Sequence, residues 1–97
     1  MIIDIIKKKL SDALAPIALH VIDESYKHVG HAGIPTDSKG ETHFYVSIVS
    51  PIFVGMSAIK RHQKIYHILS EELKSPIHAL ALKTLTPDEY IAASKEA

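Results

Sequence analysis

THFYVSIVS, Thr42 to Ser50, alternates side chains, with Phe44, Val46 and Ile48 on one side and His43, Tyr45 and Ser47 on the other. A period of two over that length predicts a half-buried strand. The residues after it decide the fold. PIFVGMS, Pro51 to Ser57, breaks the strand and ends in an N-cap serine. From Ala58 the residues Ile59, Ile65, Tyr66, Ile68, Leu69 and Leu73 recur with a helical period, predicting a helix to about Lys74. SPIHALALKTL, Ser75 to Leu85, reads as a further strand, with His78, Leu80 and Leu82 on one face and Ile77, Ala79, Ala81 and Lys83 on the other. A strand, a helix and a strand in succession form a crossover unit, parallel and right-handed in nearly all cases.

Outward from this unit the signals continue. Ile2, Ile3, Ile6, Leu10, Ala13 and Leu14 have three- and four-residue spacing, which predicts an amphipathic helix whose Lys7, Lys8 and Lys9 face mainly water. Pro16 comes just beyond it, and IALHVIDES, Ile17 to Ser25, is rich enough in aliphatic residues to be a strand. YKHVGHAGIPTDSKGE, Tyr26 to Glu41, carries Gly30, Gly33, Pro35 and Gly40 and is longer than most hairpin connections, which makes a loop that is either mobile or functional the expectation. At the other end, TPDEY combines Thr86 as N-cap, Pro87 at the first helical position and Glu89 three residues after the cap, a capping box that opens a short last helix. The expected fold is α/β in the α+β sense: one domain over residues 1–97, its core at about 2–94, in the order α-β-β-α-β-α, with helices packed on a three-stranded mixed sheet.

Composition excludes several functions. The chain has 97 residues, 46% of them hydrophobic and 23% charged, a balance that suits one compact domain. Eleven basic and eleven acidic side chains give a formal net charge of zero, which argues against strong non-specific polyanion binding. The absence of cysteine removes disulfides, thiolate metal sites and cysteine nucleophiles. No apolar run approaches the roughly 20 residues that span a bilayer, and the amino end resembles neither a secretory signal nor a transit sequence. A cytoplasmic protein is expected.

Topology brings distant residues together. The long loop ends where the second strand begins, and a parallel third strand begins at the same sheet edge, so His31 and His78 are expected there and His62 towards the opposite edge. Two imidazoles suit one iron of a Rieske-type 2Fe-2S cluster, whose other iron needs two thiolates from outside this chain. A zinc site would instead need a further ligand, from His28 or a carboxylate. Lys60, Arg61, His62, Lys64 and His67, early in the long helix, form a basic patch able to meet phosphates. Catalysis has the weakest support: no serine or threonine lies in a nucleophile motif, no phosphate-cradling glycine pattern comes after a strand, and a histidine with Asp23 or Glu24 makes a dyad only on paper.

Three blocks carry a family resemblance: ETHFYVSIVSPIFVG from Glu41, IKRHQKIYHILSEEL from Ile59 with its Arg61-His62 pair, and PIHALALKTLTPDEY from Pro76. In this order and spacing they resemble BolA-like proteins. The resemblance implies a class II KH-like fold and partnership with a monothiol glutaredoxin, with which such proteins share a 2Fe-2S cluster. It implies His78 of the HAL block as one ligand and His31 of GHAGIP as the other, with His28 the competitor, while the partner's cysteine and glutathione supply the sulfurs. It also implies an alternative, transcriptional regulation through DNA binding on the KH-like surface, for which Lys60, Arg61, His62 and Lys64 of the basic patch are the candidates. Here the chain departs from nucleic-acid-binding KH domains, because FVGMSA before the long helix holds one glycine and no GXXG clamp.

Overall fold

The computed structural model of the chain describes residues 1–25 and 43–96. The long loop, with His28, His31, Gly30, Gly33, Pro35 and Gly40, lies outside the described residues. The elements run α1 (Ile2–Leu14), β1 (Ala18–Asp23), β2 (His43–Val49), a 3-10 turn (Pro51–Phe53), α2 (Ala58–Ile68), α3 (Ser70–Lys74), β3 (Ala79–Leu85) and α4 (Pro87–Glu96). The sheet order is β1-β2-β3, with β1 antiparallel and β3 parallel to β2. This is the expected α+β architecture with its mixed three-stranded sheet.

The alternation of β2 is realised directly. Phe44, Val46 and Ile48 are buried, at 2%, 0% and 0% exposure, and join Ile6, Leu10 and Leu14 of α1, Val21 of β1, Phe53, Ile65, Leu69 and Ile77 in one core. The helical period of α1 therefore buries one stripe against the sheet, while Ala13, outside that stripe, stays exposed. In β3 the pleat begins only at Ala79: Leu80, Leu82 and Thr84 face inward and Ala79, Ala81 and Lys83 face out. Ile77 precedes the strand and is buried, so it does not share the outer face that simple alternation assigns to it.

The long helix is two pieces. Leu69, at φ −99° and ψ 20°, separates α2 from α3, and nothing in the local sequence marks the break. Beyond it, Glu72 is buried and accepts both bonds from Lys9 Nζ, at 2.9 and 2.8 Å, tying the first helix to α3. Lys9 thus does not share the solvated role expected of all three lysines. Among the described residues two backbone positions have positive φ: Gly55 at 81°, in the turn before α2, and Ala15 at 42°, which caps α1 in the left-handed region while its N–H bonds the Ser11 carbonyl. Gly55 suits its position because an L side chain adopts that conformation at a cost, and Ala15 bears that cost.

Two substitutions should move stability in opposite directions in urea unfolding. Ala15→Gly, which relieves the left-handed strain, should raise the unfolding free energy by about 0.5–1 kcal/mol. Leu10→Ala, which opens the core beneath α1, should lower it by about 2–5 kcal/mol.

Candidate functional site

The sheet has two contrasting ends, set by the β2-β3 register. At the starting edge His43 pairs with Ala79, so His78 stands immediately beside the first rung of the parallel ladder. Strand β2 delivers His43 as its first residue, half-buried, and His78 comes just before β3, exposed. Their rings are stacked, with centroids 5.6 Å apart and planes 10° apart. Offset aromatic pairs commonly have centroid separations of about 4.5–7 Å.

The end of β1 fixes His43 from the other side. The Glu24 N–H donates to the His43 carbonyl at 2.8 Å, and the His43 N–H donates to Ser25 Oγ at 3.0 Å. Ser25 is fully buried, and its own N–H donates to Asp23 Oδ1 at 2.9 Å. Asp23 and Glu24 therefore serve the end of the strand. His31 and His28 lie outside the described residues. Among the described residues no group of three or more His, Asp and Glu could hold a metal ion on its own.

The opposite end carries a polar network. Sequence places Arg61 on the basic patch, but it is buried, 8% exposed. Its Nε donates to the Met56 carbonyl at 3.0 Å and its Nη1 to the Thr84 carbonyl at 3.1 Å. The same guanidinium grips Glu89 in a bidentate pair, Nη1 to Oε1 at 2.6 Å and Nη2 to Oε2 at 3.1 Å, and lies over the Phe53 ring, 5.7 Å from its centroid. Four of its five N–H donors are thereby engaged. Arg61 therefore does not present a free charge to a phosphate. His62 beside it is half-buried at this end, away from His78, as the crossover predicts, whereas Lys60 and Lys64 are exposed.

Glu89 has a double role. Its Oε1 accepts the Thr86 N–H at 2.8 Å while its own N–H donates to Thr86 Oγ1 at 3.1 Å, the reciprocal capping box expected at the start of α4. The Arg61 guanidinium first, and then the Thr86 N–H, hold its carboxyl down from 4.5 to about 2.

Residues 10–89 match the sequence profile of one known family, described as BolA-like protein. The chain belongs to the BolA-like family. Among its relatives, Arabidopsis thaliana "Protein BOLA1, chloroplastic" is 47% identical over 83 residues, which is 86% of this chain and 52% of the relative. The chain thus spans about half the length of that protein. The Escherichia coli K12 "DNA-binding transcriptional regulator BolA" is 44% identical over 90 residues, 93% of this chain and 80% of the relative. In three dimensions this BolA-like chain is similar to the BolA domain of SufE1 from Arabidopsis thaliana, with a TM-score of 0.78 and 46% identity, covering 89% of this chain and 92% of that one. No helix among the described residues is long and apolar enough to cross a membrane.

His43 is the residue that sequence reasoning missed. Alternation assigns it to the outer face of β2 beside Tyr45 and Ser47, a bland position. The available signal was the parallel crossover itself, which aligns the first residues of β2 and β3.

The depressed Glu89 carboxyl has a defined pH signature. Its stabilising contribution is complete above about 4.5 and is lost as pH falls towards 2. Stability measured by urea unfolding from pH 5 to pH 2 should therefore fall less steeply for Glu89→Gln than for the unmodified chain. Equal slopes would remove Glu89 as an acid-sensitive group.

Proposed function

We propose that this BolA-like chain is a non-catalytic adaptor that shares a 2Fe-2S cluster with a monothiol glutaredoxin in iron-sulfur trafficking or iron sensing. The observation that carries the reading is the starting edge of β2 and β3, where the exposed imidazole of His78 lies against His43. Two imidazoles on one iron and two sulfurs on the other satisfy a Rieske-type cluster. The chain has seven histidines and no cysteine, so it can contribute nitrogen ligands and needs both sulfurs from elsewhere. A partner cysteine and glutathione supply them. His78 is the ligand from the HAL block, His31 is the loop ligand, and His28 is the competitor for that place. Free thiols and glutathione require a reducing compartment, for which we take the cytoplasm.

The test is a titration with a monothiol glutaredoxin carrying its glutathione-ligated cluster, monitored by visible absorption and circular dichroism. The unmodified chain should convert the spectrum to one with histidine ligation, His78→Ala should abolish the conversion, and His31→Ala should impair it more than His28→Ala does. Conversion by His78→Ala equal to that by the unmodified chain would refute the assignment.

A second reading, DNA binding, is favoured by the name of the Escherichia coli relative and by the exposed Lys60 and Lys64 on α2. In that case binding should weaken steeply with salt, and each of Lys60→Ala and Lys64→Ala should reduce the salt slope by about one. His31→Ala and His78→Ala should leave it unchanged. A gel-shift series at rising salt decides it, and the absence of any salt-sensitive shift eliminates the DNA reading.

A further inference from the structure

The two histidines at the starting edge are held very differently. His43 is the first residue of the central strand, with bonds to Glu24 and Ser25 on the β1 side and the β3 ladder on the other. Its ring is half-buried on a fixed backbone. His78 stands one residue before the ladder begins and is exposed. An exposed side chain exchanges among its staggered rotamers unless a neighbour selects one. Among the described residues the ring that stacks on His78 is that of His43, at 5.6 Å between centroids and 10° between planes.

We propose that His43 is a positioning residue for His78: its ring is a fixed plate that selects the rotamer in which the His78 imidazole is presented at the sheet edge. This rests on the reading of His78 as a cluster ligand. A ligand already held in one rotamer loses less conformational freedom on binding, so the plate strengthens the complex without touching the cluster. The requirement at position 43 is the plane of the ring. A phenyl ring meets the requirement and a leucine side chain does not. The contact belongs to the range of aromatic pairs, which sets the expected effect on affinity at about three- to tenfold.

The experiment compares the unmodified chain, His43→Leu, His43→Phe and His78→Ala in two measurements. In the first, on the chain alone, three-bond couplings about χ1 of His78 are read by NMR. In the second, each protein is titrated against the 2Fe-2S-loaded monothiol glutaredoxin with glutathione and monitored by visible circular dichroism. Far-ultraviolet circular dichroism checks the fold, and His43→Thr, a strand former without a ring, replaces His43→Leu should the latter unfold. In His43→Leu the couplings should move to rotamer-averaged values and the apparent affinity should fall about three- to tenfold, with the shape of the final spectrum unchanged. His43→Phe should restore both. Unaltered His78 couplings in His43→Leu would overturn the proposal. So would a His43→Phe protein as weak as His43→Leu, because the role would then belong to the ring nitrogens. A His78→Ala protein that titrates normally would refute the cluster reading instead, and the couplings would still decide whether His43 holds His78.

Discussion

The parallel register of β2 and β3 is the constraint on which the rest of this molecule depends. It pairs His43 with Ala79 and continues rung by rung to Val49 and Leu85. A slip of one residue would turn Phe44, Val46 and Ile48 out of the core, so burial locks the register. Once it is locked, the starts of the two strands must lie side by side. His78 then meets His43 although 34 residues of chain separate them, mostly in the α2-α3 crossover.

The two ends of the sheet have opposite physical characters for the same reason. At the far end the backbone continues the ladder, with the Ser50 N–H donating to the Leu85 carbonyl at 3.0 Å. There Arg61, Thr84, Thr86 and Glu89 satisfy one another around the start of α4. A buried guanidinium needs its donors occupied, and this one has a carboxylate and two carbonyls. Such a network anchors α4 to α2 and leaves little for an incoming ligand. At the starting edge the side chains are instead imidazoles, the exposed ring of His78 stacked on the half-exposed ring of His43.

Much of this was legible in the sequence because it depends on local pattern. The period of two in Phe44, Val46 and Ile48, the capping box of Thr86 and Glu89, and the N-cap Ser57, whose Oγ accepts the Lys60 N–H at 3.2 Å, need only near neighbours. The features that escaped depend on partners far along the chain. Lys7, Lys8 and Lys9 look alike in sequence, and only Glu72, 63 positions away, distinguishes Lys9. Arg61 sits in a run of basic residues that reads as one patch, yet Glu89, 28 positions on, draws it inside. His43 was hidden by the very alternation that identified its strand: that rule gives the side of a sheet but not the neighbour across it. The His28 and His31 expectations fall in the loop outside the described residues, and their support comes from the crossover topology and the family resemblance.

The central claim is that a histidine of this chain binds iron in a cluster shared with a glutaredoxin. Pulsed electron paramagnetic resonance on the reduced complex, with the chain labelled with nitrogen-15 histidine, reads that bond directly. The account predicts strongly coupled histidine nitrogen from this chain, with the coupling assigned to His78 missing from the His78→Ala complex. A reduced complex in which no histidine nitrogen of this chain couples to the cluster would contradict it.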